Sequence, residues 1–257
     1  MATWNRRHFV PLALRCFLAQ DYDGPSELVV IDDGPDLVGD LVEAAIHAQA
    51  VRELDSNTRM PERNGRSRQI RYVHLHGRSS IGAKFNLGIR VAHGDVLALW
   101  ADDDWHAPQR LSVQVDALEQ SGARMCGSDQ VVFADLRTGE AWRYEYIPHR
   151  RTHSYLVGGT MMFRRSFWNE RPFEDRSSAE DNAFIAQRGE PFCNIGSDWW
   201  YVATMHDGNT SPKPLELRQG SDQWARLGSP AEGLVEKWWW DAAIHEFRTN
   251  ARIPEAE

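Results

Sequence analysis

An apolar run, Val96-Leu97-Ala98-Leu99-Trp100-Ala101, ends abruptly in three aspartates, Asp102, Asp103 and Asp104. The run reads as a buried strand, and its tip concentrates negative charge at one place. Adjacent carboxylates repel and resist joint ionisation, so such a tip calls for a cation. Oxygen-only ligands suit Mg²⁺ or Mn²⁺, ions that usually arrive with a phosphate-bearing substrate. The plainer alternative is a solvated acidic turn after a strand.

The segments around this run alternate in character. Phe9 to Gln20 places Phe9, Leu12, Ala13 and Phe17 at near-helical spacing. Glu27 to Ile31 is a β-branched apolar run that stops at Asp32-Asp33-Gly34, a turn signal. Leu37 to Leu54 predicts a helix, Ser56 to Arg68 a polar loop, Arg71 to Leu75 a strand, Gly82 to Ala92 a helix and Asp95 to Trp100 a strand. Pro108 suits a first helical position, with Leu111, Val115 and Leu118 on one face after it. This β-α-β-α-β order predicts an α/β fold with a mostly parallel, Rossmann-like central sheet flanked by helices. Ligands of such sheets bind at the carboxyl ends of the strands. Three candidate strand ends carry suitable groups there: Thr3-Trp4-Asn5-Arg6, Asp32-Asp33 and Asp102 to Asp104. Only Met1 and Ala2 precede the first of these, so either the chain starts late or the first strand is a stub.

Net charge is −8, which excludes a broad phosphate-gripping surface and nucleic acid as the main partner. Three scattered cysteines, Cys16, Cys126 and Cys193, read as reduced thiols in a cytoplasmic protein, not as a disulfide framework or zinc site. Neither a membrane-spanning run nor an apolar signal core is predicted.

The second half changes character. Met125–Gly127 and 130–134 read as strands, 135–140 as a hairpin-like turn, and 142–147 as an aromatic-charged alternation. Residues 148–153 form a basic loop, in which Arg150 and Arg151 either clamp a diphosphate or are solvated. Gly158-Gly159-Thr160 leads into Met161-Met162-Phe163, and Ala179-Glu180-Asp181 opens a helix through Ala186. Gly196 to Met205 predicts a Trp-rich strand that runs into His206-Asp207-Gly208-Asn209. Leu234 to Phe247 predicts an amphipathic helix, whose Trp238-Trp239-Trp240 run is either core or a contact for a second copy of the chain.

In this order and spacing, the motifs resemble the family-2 glycosyltransferases, which have the GT-A fold. They read Thr3-Trp4-Asn5-Arg6, Gln20-Asp21-Tyr22, Val30-Ile31-Asp32-Asp33-Gly34, Gly82-Ala83-Lys84-Phe85-Asn86-Leu87-Gly88-Ile89, Asp102-Asp103-Asp104, Pro108-Gln109-Arg110-Leu111, Gly158-Gly159 and Glu180-Asp181. The likeness covers roughly residues 1–210. It implies a nucleotide-sugar half over about 1–106, an acceptor half with a small antiparallel portion over about 107–210, and a C-terminal loop-and-helix extension over 211–257.

The resemblance also implies roles. Thr3, Asn5 and Arg6 would touch the nucleotide, and Asp32 or Asp33 its base. Lys84 and Asn86 fall in a donor-side motif, Lys84 being either a phosphate partner or simply solvated. Asp102 to Asp104 look like the DXD motif, with Asp102 on the ribose and Asp103 or Asp104 on Mn²⁺ or Mg²⁺. One departure stands out, since the family's usual first aspartate is Ala101 here. His206 is a further candidate for the metal or the diphosphate. Asp181, with Glu180 as the alternative, would be the base that accepts a proton from the acceptor hydroxyl; the competing reading is that both match the dipole of a helix N-terminus. The implied activity is metal-dependent, inverting transfer of a sugar from a nucleotide-diphosphate sugar, first of all a uridine-diphosphate sugar, to a saccharide, lipid-linked or protein hydroxyl. Two other classes remain: a sugar-phosphate nucleotidyltransferase, disfavoured because Thr3 to His8 contains no glycine, and a non-catalytic sugar- or nucleotide-binding relative.

Overall fold

A computed structural model describes residues 1–57, 67–146, 155–186, 192–197, 199–228 and 234–250. The basic segment with Arg150 and Arg151, and most of the polar loop expected over Ser56–Arg68, lie outside the described residues.

The first half follows the expected alternation. Strands β1 (Ala2–Thr3), β2 (Ser26–Asp32) and β3 (Arg68–His74) form a parallel sheet in the order β1-β2-β3. Between them run helices α1 (Val10–Leu18) and α2 (Gly39–Asn57), and α3 (Ile81–Val91) follows β3. α1 buries Val10, Leu12, Ala13, Leu14, Cys16 and Phe17. α3 is capped by the Ser80 hydroxyl, which accepts from the Ala83 amide at 3.0 Å. The expected strand ahead of the aspartates is short: β4 covers only Val96–Ala98. Residues 99–101 leave the ladder, although the Leu99 amide still donates to Met161 O.

Gln20 shows what its motif does. Its amide donates to Ala107 O at 2.8 Å and its carbonyl accepts from the Leu111 amide at 3.0 Å. It thereby ties the end of α1 to the start of α4 (Arg110–Ser121), which closes on Gly122 at φ +66°, a left-handed helix stop.

Beyond α4 the pairing becomes mixed. Strands β6 (Met125–Gly127), β9 (Met162–Arg164) and β10 (Cys193–Asn194) join β4 in the order β10-β6-β9-β4. A further sheet, β12-β8-β7-β11-β5, contains β5 (Trp105–His106), β7 (Gln130–Asp135), β8 (Ala141–Glu145), β11 (Tyr201–Met205) and β12 (Trp224–Gly228). β11 starts at Tyr201 rather than near Gly196 because residues 199–200 form a turn. β5 was not legible as a strand; it exists only because β11 pairs with it antiparallel. Helices α5 (Arg165–Glu170), α6 (Glu180–Ala186) and α7 (Leu215–Gln219) are short, and α8 (Lys237–Asn250) closes the described chain.

The C-terminal elements share the main core. Trp239, Trp240 and Ala243 of α8 are buried in the same apolar cluster as α1, and Arg15 lies 3.6 Å over the Trp238 ring. Trp239 and Trp240 therefore face their own chain, whereas Trp238 is only half-buried beneath Arg15. No described helix is long and apolar enough to cross a membrane.

Gly82 positions α3 by close approach. A Cβ there would stand 1.9 Å from Glu174 O, a backbone atom that cannot swing aside. Gly82→Ala is expected to cost about 1–3 kcal/mol, read as a fall in Tm of about 3–10 °C. An unchanged Tm would show that the 174–176 segment yields freely.

Candidate active site

The tips of β1 and β4 open into a cleft of about 650 Å³, which Gly158, Gly159, Glu180 and Asp181 also line. Arg6 is the hub on the strand side. Its guanidinium donates to Asp102 Oδ1 at 2.9 Å, to Asp103 Oδ2 at 2.5 Å and to Gly208 O at 2.7 Å. Burial works against its charge, but Asp103 and Asp102 outweigh that and raise its pKa. Asn5, just before it, holds φ +52°, a left-handed conformation that asparagine adopts more readily than most side-chain-bearing residues.

The three aspartates have three different environments. Asp103 Oδ2 accepts from Arg6, faces His206 Nε2 at 3.0 Å and accepts from the Asn209 amide at 3.4 Å. Burial pushes its carboxyl up, yet Arg6 and His206 prevail and hold it at about 2. Asp102 keeps one oxygen, Oδ2, buried without a hydrogen bond among the described residues. Burial raises its carboxyl above the ordinary range despite Arg6. Asp104 turns inward. Its Oδ2 accepts from the Tyr201 hydroxyl and its Oδ1 from the Thr204 amide at 2.9 Å. Burial, reinforced by the Asp103 charge, lifts Asp104 to about 8.

Asp103 and His206 thus offer a corner of one carboxylate and one imidazole that could take a divalent ion, and Asp102 adds a buried oxygen without a hydrogen bond among the described residues. No group of three or more His, Cys, Asp or Glu side chains is arranged as a complete metal site among the described residues. Mg²⁺-type ions normally take one or two carboxylates and draw the remaining oxygens from water and substrate phosphates, so the corner fits an ion that arrives with a diphosphate. Asp104, held by Tyr201 and Thr204, does not face that corner.

Several other expected donor-side residues are taken up by the fold. Asp32 accepts from the Gly34 amide at 2.9 Å, the Val38 amide at 3.0 Å and the Tyr72 hydroxyl at 2.9 Å, so it organises the turn after β2. Asp33 accepts from Lys84 Nζ and from the Ser79 amide, both at 2.7 Å. Lys84 also donates to Thr3 O at 3.0 Å, and it is 3% exposed, so it is neither solvated nor free for phosphate. Asn86 lies off the cleft, bridging Phe173 and the Trp168 indole. Thr3 and Asn5 do line the cleft.

The Lys84–Asp33 pair sets the position of β1 beneath Arg6. Lys84→Met would leave the buried Asp33 carboxylate with only the exposed Arg78, 3.8 Å away, and is expected to cost about 3 kcal/mol or more in a urea titration. A loss under about 1 kcal/mol would mean that water reaches Asp33.

Elsewhere on the cleft wall, Gly158 presses on Asp181. A Cβ on Gly158 would lie 2.4 Å from Asp181 Oδ2, and one on Gly159 2.0 Å from the Tyr201 hydroxyl. The double glycine therefore allows backbone to touch both carboxylate sites. Burial raises Asp181 above the ordinary carboxylate range against the Asn182 amide, which donates to its Oδ1 at 2.7 Å. Glu180 is raised too, by burial and then by the Asp181 charge. Both stand in the first turn of α6, as dipole matching requires, but both also line the cleft. Ala179 before them adopts φ +55°.

Sequence reading missed the clamp behind this wall. Arg110 is fully buried; its guanidinium donates to Leu99 O at 2.7 Å, Gly159 O at 2.8 Å and Gln114 Oε1 at 3.0 Å. Gln114 in turn donates to Thr160 O at 2.7 Å. The pair ties the end of β4 to the glycine turn. Their spacing, four residues apart on one helix face, was the available signal. Arg78, stacked 3.6 Å over the Trp4 ring at the cleft mouth, had no such signal.

The sequence pattern of glycosyl transferase family 2 matches residues 1–179. No curated protein matches the chain in sequence. Among solved structures, a mannosyltransferase, PcManGT from Pyrobaculum calidifontis in complex with GDP-Man and Mn²⁺, superposes with TM-score 0.55 at 15% identity, covering 99% of this chain and 74% of that one. S. aureus TarS 1–349 in complex with UDP-GlcNAc gives TM-score 0.54 at 16% identity, covering 85% of this chain and 62% of that one. The TarS 1–349 complex with UDP gives 0.53 at 16% identity, with 79% and 59% covered. The chain thus spans less than two thirds of the TarS chains it resembles, and at these identities the likeness establishes the fold, which is GT-A. With that fold in place and the motif order matched from residue 1 to residue 179, the chain belongs to glycosyl transferase family 2.

Proposed function

We propose that this chain moves a glycosyl group from a nucleotide-diphosphate sugar, a uridine-diphosphate sugar in the first instance, to a hydroxyl acceptor with inversion at the anomeric carbon. One observation carries the reading: Arg6, Asp102, Asp103, His206 and Asp181 share a single cleft. The nucleotide-sugar complexes of TarS and PcManGT support the donor class.

Chemistry assigns the roles. Arg6 supplies positive charge where the diphosphate departs. A divalent ion, Mn²⁺ or Mg²⁺, held by Asp103 and His206 with Asp102 alongside, would neutralise charge developing on that leaving group. Asp181 accepts the proton of the acceptor hydroxyl as its oxygen bonds to the anomeric carbon and the diphosphate leaves from the opposite face. Burial raises Asp181 toward the pH at which a base of this kind is most effective. One base and one departing group make a single displacement, hence inversion.

The test is release of free nucleoside diphosphate from a panel of nucleotide sugars, with and without Mn²⁺. Uridine diphosphate released in an Mn²⁺-dependent manner is the expected result. Pyrophosphate release would identify nucleotidyl transfer instead, and no turnover with any donor would leave a binding relative.

A further inference from the structure

We infer that Arg137 is a positioning residue for the donor corner: anchored on the buried carboxylate of Asp135, it holds Asp207, and with it the turn that delivers His206 and the Gly208 carbonyl. The inference rests on the reading of that corner as the place where the donor's diphosphate sits.

Strand pairing brings the parts together. β7 and β11 run parallel and end side by side, with Asp135 opposite Met205. The chain leaves β7 as Leu136-Arg137 and β11 as His206-Asp207-Gly208, so both turns emerge at one sheet edge. The Leu136 amide donates to Met205 O at 3.0 Å and carries the contact one residue beyond the ladder. The β7–β8 turn closes where the Gly139 amide donates to Asp135 O at 2.7 Å.

Asp135 is the anchor. It is fully buried, and a carboxylate in that setting must be paired. Its Oδ1 accepts from the Arg137 amide and from Arg137 Nε, both at 3.0 Å. Its Oδ2 accepts from Arg137 Nη2 and from Arg218 Nη2, again both at 3.0 Å. Burial works to raise this carboxyl, but Arg137 and Arg218 hold it below its ordinary range. Two bonds from one guanidinium to one carboxylate fix the plane of Arg137. The remaining nitrogen, Nη1, then donates to Asp207 Oδ1 at 3.2 Å. An exposed ion pair normally contributes little, partly because two flexible side chains must be ordered to form it. Here Asp135 has already ordered the arginine, so less freedom is lost on meeting Asp207.

Asp207 is the link to the corner. Before it stands His206, whose Nε2 faces Asp103 at 3.0 Å; after it stands Gly208, whose carbonyl accepts from Arg6 at 2.7 Å. All three residues of the turn line the cleft, whereas Arg137 is not among the lining residues and acts through Asp207. Arg218, on α7, fastens the far end of the same segment to the same Asp135 oxygen. Residues 206–214 are thus held at both ends by one buried charge.

Two readouts test the role. In donor-free protein carrying isotope-labelled histidine, the His206 ring signal, identified by its loss in His206→Gln, should shift or broaden in Arg137→Met and in Asp207→Ala. Calorimetric titration of uridine diphosphate in Mn²⁺ should show about tenfold weaker binding in each variant. Arg137→Met should add little in an Asp207→Ala background, since both act through one contact. Arg226→Met, which breaks a surface pair with Glu140 of the same turn, should leave both readouts as in the wild type. An unmoved His206 signal overturns the inference. So do additive losses in the double variant, which would show that Arg137 serves only its own hairpin. A wild-type protein that binds no uridine diphosphate would strike the donor reading instead, and the ring signals would still decide the role of Arg137.

Discussion

Asp181→Asn is expected to lower glycosyl transfer by at least about 10²-fold while nucleotide-sugar affinity stays near that of the wild type. The asymmetry follows from where Asp181 sits. It shares the cleft with Arg6 and the aspartates, but Arg6, His206 and Asn209 hold those carboxylates, so removing the Asp181 charge should leave the donor corner as it was. Asparagine keeps the shape that packs against Gly158, and its side-chain oxygen can still accept from the Asn182 amide. What it loses is the ability to take a proton. The pH profile provides an independent check. Asp181 must be deprotonated to act, and burial holds it above the ordinary carboxylate range. Wild-type turnover should therefore rise with pH along a limb displaced upward from that of a free aspartate, and the limb should vanish in the variant. Gly158→Ala should imitate part of the kinetic loss while the carboxylate is retained, because its Cβ would meet Asp181 Oδ2 at 2.4 Å and displace it. Transfer at the wild-type rate in Asp181→Asn would remove it as the base and move attention to Glu180.

Asp103→Ala should weaken Mn²⁺-dependent donor binding by about 10²-fold, equivalent to about 2.7 kcal/mol. Asp103 holds Arg6 and His206 in place, and with its carboxyl at about 2 it is ionised at any working pH. Its removal takes away one candidate ion ligand and frees the two cationic or imidazole partners it orients. Asp104→Asn is the informative contrast. Burial and the Asp103 charge favour the neutral form of Asp104, so an uncharged amide of the same shape should be tolerated there. Caged by Tyr201 and Thr204, it supports β11 and not the cleft corner. Calorimetric titration of the donor in Mn²⁺ should show the large loss for Asp103→Ala and a small one for Asp104→Asn. Equal losses would mean that Asp104 turns to face the ion when donor binds.

The order of elements through α3, the turn after β2 and the acidic tip beyond β4 were all legible in the chain. Each rests on a local signal: apolar periodicity, a β-branched run, an Asp-Asp-Gly turn. So was the pairing of Gly158-Gly159 with a site, though not its cause, since close approach to Asp181 and Tyr201 is a matter of space alone. Local patterns could not say which polar groups would remain available. Lys84 finds Asp33 across 51 residues, Tyr201 finds Asp104 across 97, and Asn86 finds Phe173 across 87. Sequence by itself determined which side chains arrive at strand tips, because alternation and turn chemistry act over a few residues. Tertiary structure alone decided which of those groups are consumed by the scaffold and which stay free for a ligand. A buried charge or amide must be satisfied by whatever long-range packing brings within about 3 Å, and that partner is not written next to it in the chain.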